Sequence, residues 1–186
     1  MIKLNKTTES YWGNELVSRS VAFAAEAHAS QTRKYTNEPY ITHPISVARM
    51  VAEVAGTPEM IAAALLHDIV EDTPVTAEQI EMAFGGVVAE LVRQLTDVSR
   101  PEDGNRAHRK ALDRDHLSKG SAAAKTIKLA DLIDNAGSIQ KHDPKFAKVY
   151  MAEKKLLLEV LADGDARLLA QAKAIVAGHD MGVAQG

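Results

Sequence analysis

The sequence has no cysteine among its 186 residues and few aromatic residues, which make up 4% of the chain. Without a thiol there is no disulfide, thiolate metal site or cysteine nucleophile, so His, Asp and Glu are the remaining candidate metal ligands. The scarcity of aromatic residues, together with frequent alanine, favours packed helices over sheets.

The chain also lacks a strong charge of one sign and a long hydrophobic run. Its net charge of -3 produces no overall positive field that would recruit nucleic acid or an anionic membrane. No window approaches the roughly 18 apolar residues of a membrane span, and Met1 to Asn14 lacks the pattern of a signal peptide. We therefore expect a cytoplasmic protein that acts on a small molecule and binds neither nucleic acid nor membrane; an oligomer is possible.

The length is that of one ordinary domain. We predict a loose leader at residues 1–13, a single domain at residues 14–178 and a tail at residues 179–186. Apolar residues recur at helical spacing in most segments, and no segment alternates with a period of two. The predicted fold class is therefore all-α.

One predicted helix, from Pro58 to about Asp72, is almost wholly apolar in IAAALLH and becomes acidic in DIVED. Ordinary burial would avoid polar groups at the end of such a helix. A continuous helix would place His67 near Glu71 and Asp68 near Asp72, because residues four apart share a face. These four side chains are candidates for a common pocket.

A second polar stripe occurs in KLADLIDNAGS, where Asp131, Asn135 and Ser138 recur at helical spacing. Asp131 alone could be a solvated position, and His43, which precedes Pro44, could simply be a hydrogen-bonding residue at a helix entry. Two imidazoles and two carboxylates form a mixed set that suits Mn²⁺, Fe²⁺ or Zn²⁺. The four candidate ligands are His43, His67, Asp68 and Asp131.

Four segments in this order resemble the HD phosphohydrolase superfamily, and most closely the hydrolase domain of the RelA/SpoT alarmone enzymes and of small alarmone hydrolases. They are AHASQTRKYTNEPYITHP, AALLHDIVEDT, FGGVVAELVRQLTDV and IKLADLIDN. The resemblance spans about Val21 to Ser138. It implies a helical HD fold and a metal-dependent enzyme that removes the diphosphate from the 3′ position of ppGpp, giving GDP or GTP.

The resemblance also implies roles for individual residues. It assigns a metal ion, usually Mn²⁺, to His43, His67, Asp68 and Asp131. It assigns activation of the attacking water and proton transfer to Glu71 and Asp72. It implies that Arg33 stacks on the base, that Lys34 meets phosphate, and that Asn135 and Ser138 contact the ribose or the 3′-diphosphate.

Two further candidates depend on position alone. Tyr150 could close the base pocket, and the basic cluster of Arg106, Arg109 and Lys110 could meet 5′-phosphates, although a solvated helix face is the simpler interpretation of that cluster.

The chain departs from the family pattern at Tyr35, Leu132 and Asp134, where a Gly, a basic residue and a His or Tyr are usual. None of these departures removes a ligand, but each alters the surroundings of the substrate. The alternatives are therefore an HD phosphohydrolase acting on (p)ppApp, NADPH or a 5′-nucleotide, and a non-catalytic nucleotide-binding sensor.

Overall fold

The computed structural model describes the backbone of residues 11–183. Residues 1–10 of the predicted leader and 184–186 of the predicted tail lie outside the described residues. Within the described span the regular structure is helical, apart from an isolated bridge between Thr32 and Pro39, and the all-α prediction is confirmed. None of these helices combines the length and the apolar character that crossing a membrane requires.

The chain divides into two compact units after Thr96. From Glu15 onward, the helices of the first unit are α1 (Glu15–Ala27), α2 (Thr42–Glu53), α3 (Pro58–Leu66), α4 (Ile69–Asp72), α5 (Ala77–Phe84) and α6 (Gly86–Leu95). The second unit has a short 3₁₀ turn (Pro101–Asp103), α7 (Arg106–Ser118), α8 (Ala122–His142), α9 (Pro144–Val160) and α10 (Ala166–Val183). The last helix continues to Val183, past residue 178, where the sequence analysis placed the end of the domain. The expectation that residues 14–178 form a single domain stays a prediction.

The first unit is built around α3, whose residues from Ile61 to Leu66 are all buried. This helix packs against α1, α2 and α6. Burial of each large side chain, such as Leu65, stabilises the fold by about 1.5–3 kcal/mol. A helix that is apolar on every side needs neighbours on every side, and this requirement places α3 at the centre of its unit.

Capping residues set the starts of several helices. The Thr57 hydroxyl accepts a hydrogen bond from the Met60 N–H, and Pro58 occupies the first turn of α3. Thr76 and Gln79 form a capping box at the start of α5, because each side chain accepts a hydrogen bond from the other residue's backbone N–H. These positions are visible in the sequence because the capping interactions are local.

The predicted helix from Pro58 to Asp72 is not continuous, and this part of the sequence interpretation is wrong. The structure ends α3 at Leu66 and begins α4 at Ile69, with His67 and Asp68 between them. The His67 Nδ1 atom lies 2.8 Å from the Ala64 carbonyl oxygen, the acceptor that a continuous helix would offer to the Asp68 N–H. A side chain that enters the backbone hydrogen-bond ladder in this way interrupts a helix.

In the second unit, α8 packs against both α9 and α10. Its N-cap is Ser121, whose hydroxyl accepts a hydrogen bond from the Ala124 N–H. Ile127, Leu129 and Leu132 on this helix are fully buried. This long helix is thus largely packed against its neighbours, and it supports Asp131 and Asn135.

We predict that Gly56→Ala destabilises the protein. An added Cβ would lie 2.5 Å from Val51 Cγ1 and 2.8 Å from the Val51 carbonyl oxygen, so backbone must move. Overpacking of this kind costs about 1–3 kcal/mol, which chemical denaturation would measure as a lower free energy of unfolding. The control is Gly137→Ala in α8, where no atom lies within 4 Å of the new Cβ. Equal stability of the two variants would contradict the prediction.

Candidate metal centre

Two histidines and an aspartate come together in the first unit. One ligand atom from each of His43, His67 and Asp68 can be chosen so that all three lie within 4.8 Å of one another. The His67 Nε2 atom lies 3.2 Å from Asp68 Oδ1, and His43 Nε2 lies 3.6 Å from Asp68 Oδ2. Both imidazoles are almost completely buried, whereas the carboxylate is partly exposed. Solvent therefore reaches the group at the Asp68 carboxylate.

The chain places these three residues at the ends of helices. His43 follows the first residue of α2, and its N–H donates a hydrogen bond to the Tyr40 carbonyl oxygen. His67 and Asp68 occupy the interruption between α3 and α4. Because α2 and α3 pack directly against each other, the two histidine rings lie with their centroids 5.3 Å apart.

The donor set fits a divalent transition metal ion. A carbonyl oxygen can only accept, so the contact with Ala64 requires a proton on His67 Nδ1 and leaves the lone pair of the neutral ring on Nε2. That is the tautomer and the second contact found for histidines that ligate metals. Two imidazole nitrogens and a carboxylate suit Mn²⁺, Fe²⁺ or Zn²⁺, so the residues present could hold such an ion.

Tyr40 also belongs to this site, although the sequence pattern did not identify it. Its hydroxyl donates a hydrogen bond of 2.6 Å to Asp68 Oδ2. The ring lies against His28, with centroids 4.7 Å apart, and His28 Nδ1 lies 2.7 Å from Gln31 Oε1. The sequence signal was its position three residues before His43, within the motif, but nothing in that spacing indicates its partner.

The loop before α2 is ordered by its own hydrogen bonds. The Arg33 N–H donates to the Glu38 carbonyl and the Tyr40 N–H donates to the Gln31 carbonyl, so the loop folds back on itself. Arg33 is half-buried and Lys34 is exposed, with its Nζ atom 4.9 Å from the centroid of the Tyr35 ring. Both predicted substrate-binding residues therefore lie in the same folded loop as Tyr40.

The predicted catalytic pair, Glu71 and Asp72, lies in α4, directly after the candidate ligands His67 and Asp68. Glu71 is exposed. Asp72 is also exposed as a residue, but partial desolvation of its carboxyl and the nearby negative charge of Asp68 raise its pKa. Contact with the Tyr40 hydroxyl and the positive forms of His28 and His67 lower it. The net effect is upward, which brings this carboxyl closer to the range in which a group exchanges protons near neutral pH.

In the second unit, Asp131 is buried on α8 and both of its carboxylate oxygens have partners. Asn135 Nδ2 donates to Asp131 Oδ1 at 2.6 Å, and Lys128 Nζ lies 3.0 Å from Asp131 Oδ2. The first contact places Asp131 and Asn135 on one face, as their spacing predicted. Ser138 is half-buried further along the same helix. Leu132, one of the departures from the family pattern, is fully buried among core side chains.

Tyr150 is buried on α9, and desolvation followed by the charge of Asp131 raises the pKa of its hydroxyl. Two members of the basic cluster on α7 form ion pairs with acidic side chains. Arg106 forms a two-point contact with Glu153 at 2.6 and 2.8 Å, and Lys110 lies 2.6 Å from Asp97 Oδ2.

Comparisons with known proteins identify the family of this chain. A family model described as an HD domain matches residues 20–163. The chain is 38% identical over 133 residues to guanosine-3′,5′-bis(diphosphate) 3′-pyrophosphohydrolase MESH1 of Xenopus tropicalis, covering 70% of this chain and 73% of that protein. It is 34% identical over 151 residues to a probable guanosine-3′,5′-bis(diphosphate) 3′-pyrophosphohydrolase of Synechocystis, but this match covers only 20% of the cyanobacterial protein.

A solved structure is also similar. It is described as a metazoan orthologue of SpoT that hydrolyses ppGpp and plays a role in starvation responses. It superposes with a TM-score of 0.79 at 31% identity, over 89% of this chain and 96% of that chain.

We predict that Tyr40→Phe weakens Mn²⁺ binding about 10–100-fold, the usual effect of removing a hydrogen bond that orients a metal ligand. Isothermal titration of the metal-free protein with Mn²⁺ measures this affinity. The matched control is Tyr35→Phe in the same loop, whose ring lies against Lys34. If Tyr40→Phe binds Mn²⁺ as tightly as the unmodified protein, the hydroxyl does not orient Asp68.

Proposed function

Because this chain belongs to the HD-domain family, we propose that it is a metal-dependent 3′-pyrophosphohydrolase of guanosine alarmones, converting (p)ppGpp and water into GDP or GTP and pyrophosphate. The observation that carries the proposal is the group of His43, His67 and Asp68, which occurs in a chain similar to MESH1 over most of its length. The matched relatives are described as hydrolases of this nucleotide, which supports the same substrate here.

His43, His67 and Asp68 would hold the ion, and Mn²⁺ is our proposal for its identity. When bound, such an ion lowers the pKa of a coordinated water and offsets negative charge on phosphoryl oxygens. Asp131 is the proposed fourth ligand. Its burial supports this role, since a buried carboxylate is stabilised by nearby positive charge, and a metal ion would add such charge to that of Lys128.

The proposed reaction breaks the bond between the ribose 3′ oxygen and the adjoining phosphorus. A water oxygen attacks that phosphorus in line with the leaving 3′ oxygen, so pyrophosphate departs with the oxygen of the water. Glu71 and Asp72 would take the proton from the water and return one to the 3′ oxygen. The raised pKa of Asp72 supports this assignment, because a carboxylate with an ordinary pKa is a weaker base.

Binding of the nucleotide is proposed for the remaining predicted residues. Arg33 offers a planar guanidinium for stacking on the base, and Lys34 offers a compact charge for a phosphate. Asn135 and Ser138 would contact the ribose or the 3′-diphosphate, and Tyr150 would close the base pocket. Its burial on α9 supports a role as a rigid apolar wall.

Other expectations also stay predictions: a single domain, a cytoplasmic location, no binding of nucleic acid, and a possible oligomer.

We predict that purified protein with Mn²⁺ releases pyrophosphate from ppGpp, and that His67→Ala abolishes this release because a ligand nitrogen is lost. Chromatography resolves the products, and parallel reactions with ppApp, NADPH and a 5′-nucleotide define the substrate. Faster turnover of one of those compounds would replace the guanosine assignment. Nucleotide binding without turnover under any metal would favour a sensor.

We predict that Asp72→Asn lowers kcat about 10²–10⁴-fold, the range expected for loss of a general base, while Mn²⁺ binding is retained. Steady-state kinetics and a Mn²⁺ titration separate the two effects. The control is Asp115→Asn, which removes a carboxylate from an exposed position on α7. An unchanged kcat in Asp72→Asn would exclude Asp72 as the base.

A further inference from the structure

Lys154 on α9 makes no ion pair with any of the residues that the structure describes, although it is only partly exposed. The neighbouring lysines differ from it. Lys110 contacts Asp97 and Asp113, and Lys128 contacts Asp131. A partly buried ammonium group without an acid is costly, because desolvation disfavours its charge.

The surroundings of Lys154 suit an anion. Its Nζ atom lies 4.8 Å from the centroid of the Tyr150 ring, which fixes the ammonium group over an aromatic face. Burial, followed by the positive charge of Lys128, lowers its pKa to about 8; Asp131 acts in the opposite direction. An anion beside Lys154 would offset both effects, because it would stabilise the charged form of the ammonium group.

We propose that Lys154 binds the 5′-diphosphate of the nucleotide. This inference rests on the proposed function, in which Tyr150 closes the base pocket. The base and the 5′-phosphates are attached to the same ribose, so a cation over the base-closing ring is placed to reach the phosphate end. Phosphate groups are common partners for lysine, which acts towards them as a point charge.

The alternative cations on α7 are less available for this role. Arg106 is held by both carboxylate oxygens of Glu153, and its guanidinium also lies 5.3 Å from the centroid of the Phe146 ring. Lys110 lies between Asp97 and Asp113. A phosphate would have to displace these acids, whereas at Lys154 it would displace none. In the sequence, the α7 cluster stands out as a candidate for the 5′-phosphates, whereas no motif marks Lys154.

The experiment compares Lys154→Met with Lys155→Met, using one nucleotide with and one without 5′-phosphates. Lys155 is the adjacent, exposed residue and lines a different groove with Leu158 and Glu159. We expect Lys154→Met to raise KM for ppGpp at least about ten-fold with little change in kcat, since an interaction equal in ground and transition states affects KM. KM for guanosine 3′-diphosphate should not change, and Lys154→Arg should restore most of the affinity.

Equilibrium binding of GDP tests the same contact without turnover, because GDP keeps the 5′-diphosphate and lacks the 3′ group. Lys154→Met should weaken GDP binding and leave the melting temperature of the protein unchanged or higher, since methionine removes a desolvated charge while keeping the packed stem. Inactivity of the unmodified protein would refute the proposed function alone. Equal GDP affinity in the Lys154→Met and Lys155→Met variants, or equal loss of both nucleotides, would overturn the inference about Lys154.

Discussion

In the first unit, the polar side chains that follow a buried apolar helix must find hydrogen-bonding or charged partners, and the structure of the site depends on those partners. Residues of α3 are buried on every side, and the chain then continues directly into His67 and Asp68. Buried imidazoles and carboxylates are tolerated only when they have partners. The Ala64 carbonyl supplies one partner, the Tyr40 hydroxyl another, and a metal ion would supply the positive charge that the carboxylate requires.

The loop before α2 also provides partners for these polar side chains. Its internal hydrogen bonds return the chain to Gln31, which positions Tyr40 beside Asp68 and His28 beside Tyr40. The Gln31 side chain also donates to the Asp72 carbonyl oxygen, so the loop and α4 are held together. One network thus supports a candidate ligand and a candidate catalytic residue, and the geometry of both depends on the order of the loop.

Local patterns were sufficient to predict the all-α class and several helix starts, but not the interruption between α3 and α4. Thr76, Gln79 and Ser121 reveal helix starts because a cap acts within three residues of itself. The all-α class followed from helical periodicity, which is a property of neighbouring residues. The candidate ligand types were also readable, because a histidine and acids that end an apolar helix contradict ordinary burial.

What the sequence by itself determined was therefore the helical class, the residue types of the candidate ligands and the family resemblance. Tertiary structure alone decided which atoms meet. Tyr40 and Asp68 are 28 positions apart, so their contact depends on how a loop folds and on how α2 packs against α3. The pairing of Arg106 with Glu153 has the same origin, because these residues are 47 positions apart. The interruption at His67 involves a local contact with Ala64, but helical periodicity does not show when a side chain will take the place of a backbone N–H.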